Sequence, residues 1–420
     1  MISGNTYFDI IAISSIVIIS YALSLVSKLT KIPSVLLLII LGVGLQFLLK
    51  ELQINISDNL FNLLQLLGIV GLIMIVLEAA LDLKLTKDKR PLIIKSFLIA
   101  LFGLIGSAAA ITWLFIYFLQ YDYYTALVYA IPLSIMSSAI IIPSVSRLAP
   151  KKKEFMIYES TFSDILGIML FYFVIGNNEN SDLMQLISEV SINIAVTIGL
   201  SILASYLLVL LFQRIKEDAR LFLLISVLIL LYAIGKIFHL SSLIEILVFG
   251  LTLSNYKLFF FGKLRSLIDQ EILNKINKEF HLVTLETAFV VRTFFFVVFG
   301  LTLDLQSLLN IDTAIISASI IAALYIVRLI SLWPFMKSML PELFLAPRGL
   351  ITILLFFAIP PVFQQETFSS GILLYSILAT GVIMTGGMIW KGSEPADVDQ
   401  LQFTDLKELD EELNKLNAKN

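Results

Sequence analysis

Residues 132–143 read PLSIMSSAIIIP, an apolar stretch interrupted by two prolines and a pair of serines. Pro132 and Pro143 cannot donate a backbone hydrogen bond, and Ser137 and Ser138 place two hydroxyl groups between them. A membrane helix that is broken in this way is tolerated where the freed backbone groups face protein, water or an ion. The stretch therefore predicts a broken membrane helix beside a polar site.

The composition of the whole chain is that of a membrane protein. Of its 420 residues, 58% are hydrophobic and 15% are charged, and the mean hydropathy is +0.94. An ordinary soluble domain has about 25% charged residues. This composition excludes a soluble enzyme, a secreted disulfide scaffold and a nucleic-acid-binding protein. The chain has no cysteine, which also excludes disulfides and thiolate metal sites.

The apolar segments predict an all-α polytopic membrane protein. A spanning helix needs about 20 apolar residues, and thirteen segments qualify. They lie at about 9–27, 33–49, 61–82, 91–119, 123–147, 155–175, 184–213, 219–238, 241–256, 280–303, 312–333, 342–361 and 370–391. The first segment is long and lacks a basic leader, so we expect a true span and not a cleaved signal peptide.

The basic residues of the short loops predict the orientation. Loops after odd-numbered spans hold nineteen lysines and arginines, whereas loops after even-numbered spans hold only Lys50 and Lys236. Basic loops stay in the cytoplasm. We therefore expect the N-terminus outside, the C-terminus in the cytoplasm, and the protein in the cell (inner) membrane.

Two pairs of similar stretches predict an inverted repeat. Residues Val76–Leu83 read VLEAALDL and Val298–Leu305 read VFGLTLDL; Leu41–Leu45 read LGVGL and Phe249–Leu253 read FGLTL. Both pairs are seven spans apart, and an odd offset gives the two copies opposite topology. Inverted repeats are typical of alternating-access transporters. Chance similarity between membrane helices rich in glycine and leucine is the alternative.

A second break strengthens the repeat. Pro347, Arg348 and Gly349 interrupt span 12, seven spans after the break in span 5. Broken helices at matched positions of two halves indicate an ion site near the membrane midplane. Each break alone is weak support, because membrane helices tolerate proline and glycine.

Charged residues inside the spans are the candidates for function. A charge at the bilayer centre costs at least about 2.5–3.5 kcal/mol, so a charged residue within a span is a functional candidate by default. The candidates are Glu78, Glu159, Asp164, Glu245, Glu286, Arg292, Arg328 and Arg348.

The densest polar group opens span 6, where residues 159–164 read ESTFSD. Helical geometry places Glu159, Ser160, Ser163 and Asp164 on one face. Carboxylate and hydroxyl oxygens suit a hard cation such as sodium, and a buried carboxylate can exchange a proton for a cation. The alternative is a solvated helix start with acidic residues in its first turn.

Other membrane charges have narrower interpretations. Arg328 lies in the apolar run Ala322–Trp333 and needs a buried anion, for which Glu159 is the expected partner. Arg348 is the second candidate for the ion pair with Glu159, unless it reaches the cytoplasmic interface. Glu78 either lines the pathway or caps the cytoplasmic end of span 3.

At these residues the chain resembles the monovalent cation/proton antiporter superfamily, and within it the sodium/proton exchangers. The matching motifs, spread over roughly 9–391, are KIPSV at 31–35, EAALDL at 78–83, LTLSN at 251–255 and PRGL at 347–350. The most specific match is ESTFSD at 159–164, against the family pattern Glu-Ser-X-X-Asn-Asp.

The resemblance implies a role for each matching residue. Asp164 would bind the cation and the proton in turn, and Ser160 would be a further sodium ligand. Glu159 and Arg328 would form a structural ion pair, and Glu78 would contribute near the site.

Two positions depart from the family pattern. Ser163 replaces the usual asparagine, and the single aspartate predicts electroneutral exchange. Ser137 and Ser138 stand where Thr-Asp-Pro is common, so Ser138 is the expected ligand, with Ser134 and Ser137 as competitors. Ser163, Arg348 and Ser137 are then supporting residues.

The implied architecture is an antiporter domain over 1–391 and a short acidic tail over 392–420. Spans 4–6 and 11–13 would form the ion-carrying core, spans 1–3 and 8–10 a scaffold for a homodimer, and span 7 the link. We expect exchange of a monovalent cation, sodium first, for protons. The expectation includes lipid as a partner, no cofactor beyond the transported ions, no nucleic acid and no enzymatic activity. The alternatives are potassium efflux or potassium/proton antiport, and a non-transporting ion sensor with the same fold.

Overall fold

The computed structural model describes residues 6–30, 32–51, 59–86, 88–145, 148–176, 183–215, 220–237, 242–303, 305–336, 338–365 and 367–391. Over these residues the chain forms fifteen α-helices with short 3-10 turns and no strand. The helices are α1 (Thr6–Thr30), α2 (Ser34–Glu51), α3 (Asn59–Asp82), α4 (Arg90–Leu119), α5 (Tyr123–Ser134), α6 (Ser138–Ser144), α7 (Pro150–Gly176), α8 (Leu183–Phe212), α9 (Arg220–Ile237), α10 (Ser242–Ser254), α11 (Tyr256–Phe259), α12 (Gln270–Thr302), α13 (Ile311–Leu332), α14 (Leu350–Phe357) and α15 (Gly371–Lys391). The predicted acidic tail lies outside the described residues.

The helices confirm the predicted fold class. Each of the thirteen predicted spans coincides with one helix, except that span 5 is divided into α5 and α6, and span 12 is helical only in α14. Among the described residues, seven helical segments, with α5 and α6 counted as one, are long and apolar enough to cross a bilayer, and shorter apolar helices accompany them. The chain is therefore a multi-pass membrane protein.

Local signals in the sequence set several of the helix ends. Pro91 lies in the first turn of α4, where its missing N–H costs nothing. The helix ends at Gln120, which has a left-handed conformation with φ of 56°. Asp122 then caps α5, because its carboxylate accepts a hydrogen bond from the Thr125 N–H at 2.8 Å. The turn between the two helices thus needs only three residues.

Span 12 differs from the prediction in its first half. The predicted segment 342–361 is helical only over Leu350–Phe357. Pro347 has no N–H to donate and pushes the preceding residue out of the helical region. The chain instead forms a turn at 340–344 and an extended stretch up to Gly349. The break is therefore longer at this site than the one in span 5.

The repeat is visible in helix packing. Gly42 of α2 lies against α12, where an added methyl group would be 2.3 Å from Val297 O. In the other half, Gly250 of α10 lies against α3, where an added methyl group would be 2.6 Å from the Ala80 Cβ. Gly42 and Gly250 hold the same position in LGVGL and FGLTL. Close helix contacts at small residues thus recur at matched positions of the two halves.

A pair of hydrogen bonds follows the same alignment. The Gln46 side chain donates to Leu303 O at 3.0 Å, and the Ser254 hydroxyl donates to Leu81 O at 2.6 Å. Gln46 and Ser254 each follow their repeat motif by one residue, and Leu303 and Leu81 are the sixth residues of theirs. Matching contacts across the two halves are what an inverted repeat requires.

The helices pack in two groups. Helices α1, α2, α3, α9, α10 and α12 contact one another, and we call them the scaffold bundle. Helices α4, α5, α6, α7, α13, α14 and α15 form a second group, the core bundle. Helix α8 packs on α10, while α3 of the scaffold meets α7 and α14 of the core. The assignment of a fixed and a moving role to these groups stays a prediction.

Candidate functional site

The centre of the core bundle is the break between α5 and α6. Three successive backbone N–H groups lose their helical partners there, and each finds a different acceptor. Met136 N donates to Ser163 Oγ at 3.0 Å, Ser137 N donates to Pro347 O at 2.9 Å, and Ser138 N donates to Asp164 Oδ2 at 3.1 Å. Since buried N–H groups must be paired, these contacts hold the break open in one geometry.

Helix α7 supplies the polar face that borders the break. Glu159, Ser160, Ser163 and Asp164 are all buried, with at most 4% of each side chain exposed. The grouping on one face that the spacing predicts is therefore present inside the protein. It is not a solvated helix start, because these side chains are buried within the bundle.

Several oxygens at the break lack hydrogen-bond partners among the described residues. They are Asp164 Oδ1, Ser137 Oγ and Ser138 Oγ. The Ser160 hydroxyl donates to Ile157 O at 3.2 Å, which leaves its lone pairs available. A buried polar atom left unpaired costs about 1–3 kcal/mol. One carboxylate with hydroxyl oxygens is a donor set that suits a hard monovalent cation or a proton.

The second break crosses the first. Gly349 approaches closely, since an added methyl group would lie 2.8 Å from Ser137 Oγ. Arg348 is buried and donates to Leu133 O at 2.7 Å and to Ala346 O at 2.8 Å. The alternative that Arg348 reaches the cytoplasmic interface is excluded, because carbonyls at the break bind its guanidinium group inside the core. The arginine thus joins the end of α5 to the extended part of span 12.

Glu159 and Arg328 lie side by side. Arg328 Nη1 is 2.9 Å from Glu159 Oε1, and Nη2 is 3.3 Å from Oε2. The same guanidinium donates twice to Glu342 O, at 2.9 and 2.6 Å. Both charged side chains are buried. The pair therefore links α7 and α13 to the turn that precedes the second break.

A small cavity adjoins this pair. Its volume is about 30 Å³, and Ser107, Ser134, Glu159, Ser163, Arg328 and Arg348 are among its lining residues. A cavity of this size has room for one or two water molecules. Ser134 donates to Ala130 O at 2.8 Å and faces the cavity. Ser134 is therefore a weaker candidate for a cation ligand than Ser137 and Ser138, whose hydroxyls have no hydrogen-bond partner among the described residues.

Glu78 has a partner that the sequence did not reveal. Arg292 Nη2 of α12 donates to Glu78 Oε2 at 3.2 Å, and Arg292 Nη1 donates to Ala139 O at 3.1 Å. Glu78 is buried, with 8% of its surface exposed. It therefore lies inside the protein and does not cap a solvated helix end. Its connection to the break runs through Arg292 and Ala139, the neighbour of Ser138.

The sequence predicts neither the partner of Arg292 nor the role of Glu342. Arg292 is a candidate by its charge within a span, but the sequence does not say which helix faces it. Glu342 is fully buried, and its backbone carbonyl holds Arg328. The only signal for Glu342 was a charge next to Pro341 at the edge of an apolar segment.

The family described as sodium/hydrogen exchanger, transmembrane, matches residues 12–389 of the chain. A structure of the sodium proton antiporter MjNhaP1 from Methanocaldococcus jannaschii at pH 8 has a TM-score of 0.69 and 19% sequence identity, over 90% of this chain and 99% of that one. An electron-microscopy structure of MjNhaP1 has a TM-score of 0.63 and 18% identity, over 92% and 95%. None of the curated proteins compared with the chain matches it by sequence.

Proposed function

Because the chain belongs to the sodium/hydrogen exchanger family, we propose that it exchanges sodium ions for protons, with Asp164 binding each in turn. One observation carries the proposal. Asp164 lies at the crossing of two broken helices, where Oδ2 accepts the Ser138 N–H and Oδ1 has no hydrogen-bond partner among the described residues. A carboxylate with one oxygen positioned and the other available can take up either a proton or a cation.

The proposed sodium ligands are Asp164, Ser138 and Ser160. Ser138 is supported by its unpaired hydroxyl and by its backbone contact to Asp164. Ser137 is a competitor, because its hydroxyl is also unpaired. Glu78 stays a proposed contributor of negative charge near the site, through its contact with Arg292.

We also propose that the exchange is electroneutral. Ser163 carries no charge, and its hydroxyl is used by the Met136 N–H. Glu159 is neutralised by Arg328 at 2.9 Å. Asp164 is then the single carboxylate of this face that can change its charge, which gives one proton for each sodium ion. Because both ions use the same oxygens, they compete, and competition makes the exchange obligatory.

The two bundles suggest how the site changes sides. In the proposed cycle the core bundle carries Asp164 and moves against the scaffold bundle, which stays in place and forms a homodimer. The breaks belong to the core, and Arg348 and the Ser137–Pro347 hydrogen bond join them to each other. They would therefore move as one unit. The proposed orientation in the cell membrane, with the N-terminus outside, follows from the basic loops.

The test is exchange in proteoliposomes that carry a pH gradient. Addition of sodium should dissipate the pH gradient of proteoliposomes with the wild-type protein, whereas the Asp164→Asn variant should give no such response. Asp312→Asn is the matched control, because Asp312 is an exposed aspartate at the start of α13, and it should keep wild-type exchange. Exchange by Asp164→Asn at the wild-type rate would contradict the proposal.

The same assay separates the alternatives. A series with sodium, lithium and potassium identifies the cation. Potassium flux that discharges a membrane potential without moving protons would instead indicate a potassium efflux protein. A wild-type protein that binds sodium but exchanges nothing would indicate an ion sensor.

A further inference from the structure

Arg292 connects the two bundles. It belongs to α12 of the scaffold, and its Nη2 donates to Glu78 on α3 at 3.2 Å, within the same bundle. Its Nη1 donates across the boundary to Ala139 O in α6 of the core, at 3.1 Å. The side chains of Arg292 and Glu78 are largely buried, with 14% and 11% of their surface exposed, respectively. One guanidinium group therefore holds an element of each bundle.

The sequence explains why the carbonyl of Ala139 is available. In a regular helix it would accept the N–H of the residue four positions later. That residue is Pro143, which has no N–H. The proline in α6 thus leaves one carbonyl without its helical donor, and Arg292 supplies the missing hydrogen bond.

We propose that Arg292 is a positioning residue that fastens the core to the scaffold through the carbonyl freed by Pro143. The pair with Glu78 holds the guanidinium in place on the scaffold, and the bond to Ala139 O is the part that opens when the core moves. Ala139 follows Ser138, whose N–H binds Asp164, so the fastening acts one residue from the proposed ion site. This inference rests on the proposed function, because it concerns the motion of that site.

Two variants weaken the hydrogen bond from Arg292 to Ala139 O. One changes the donor, and the other adds a second donor that competes for the acceptor. Arg292→Lys keeps the charge opposite Glu78 but lacks the forked geometry needed to reach two acceptors. Pro143→Ala leaves every charge in place and restores an N–H that competes for the Ala139 carbonyl. If the proposal is right, the two variants have the same effect, and the double variant adds nothing further.

The measurement is a distance between spin labels on the two bundles. The chain contains no cysteine, so labels can be placed at Lys151→Cys in α7 and Lys278→Cys in α12, both exposed. In lipid nanodiscs, both variants should shift the ratio of the two distance populations in the same direction by about tenfold, which corresponds to about 1.4 kcal/mol. Glu286→Gln, which removes an exposed charge from the same helix α12, is the control that should leave the distances unchanged.

Transport kinetics provide a second readout. Both variants should change the maximal exchange rate. The sodium concentration that gives the half-maximal rate should stay within about twofold of the wild-type value, which corresponds to less than about 0.5 kcal/mol. Unchanged distances, shifts in opposite directions, or additive shifts would overturn the proposal. The distances are recorded without ion exchange, so they test Arg292 even if Asp164 proves not to exchange sodium for protons.

Discussion

Loss of Arg328 should destabilise the protein more than loss of any exposed charge. Its guanidinium makes two hydrogen bonds to Glu159 and two to Glu342 O, all between 2.6 and 3.3 Å. Only 8% of its surface is exposed. Removing one partner of a buried ion pair costs about 3–5 kcal/mol, because the other charge is left without compensation. We therefore expect Arg328→Met to lower the free energy of unfolding by about 3–5 kcal/mol, measured by denaturant titration in mild detergent.

The double variant distinguishes loss of the pair from loss of packing. Glu159→Gln with Arg328→Met removes both charges of the pair, so neither member is left without its partner. Its cost should be about 1–3 kcal/mol less than the sum of the single costs. Ser331→Ala on the same helix is the control, because its hydroxyl bonds only to Val327 O of its own helix. A cost below about 1 kcal/mol for Arg328→Met, or strictly additive costs, would show that Arg328 and Glu159 do not form a buried, coupled ion pair, since an exposed pair behaves in that way.

Two further predictions follow from packing and hydrogen bonding. Gly42→Ala should lower the free energy of unfolding by about 1–3 kcal/mol, because its methyl group would meet Val297 O at 2.3 Å. Gly44→Ala should not destabilise the protein, since nothing lies within 4 Å of the added methyl group and alanine favours the helix more than glycine. Equal effects of the two variants in a denaturant titration would contradict the close α2–α12 contact. Ser163→Ala should cost about 1–3 kcal/mol, because the Met136 N–H would lose its acceptor, yet sodium should still drive proton movement in proteoliposomes. Loss of sodium binding in this variant would instead make Ser163 a ligand.

Much of the fold was predictable, because membrane helices follow from apolar length alone. The repeat motifs also located real contacts, since the glycines of LGVGL and FGLTL lie at helix crossings in both halves. The first half of span 12 was not predictable in detail. Pro347 indicated a break, but the turn at 340–344 is held by Arg328 of α13, which donates to Glu342 O, and the sequence does not say which helix faces this turn.

The parts of the candidate site that depend on helical spacing or on charge balance were predictable from the sequence. The spacing of Glu159 and Asp164 placed them on one buried face, and a buried arginine needs an anion, which pointed to Glu159 for Arg328. The partner of Glu78 could not be predicted, because nothing in one sequence says that Arg292 on α12 turns toward α3. The role of Pro143 was equally hidden, since a freed carbonyl becomes informative only when its new donor is seen.

If one carboxylate binds sodium and the proton in turn, sodium binding must release a proton. This release can be measured with purified protein in weakly buffered detergent solution, starting from the protonated form. We expect about one proton for each sodium ion bound, because binding displaces the proton from its ligand, and no release from Asp164→Asn. Release of two protons, or release that persists in Asp164→Asn, would contradict it.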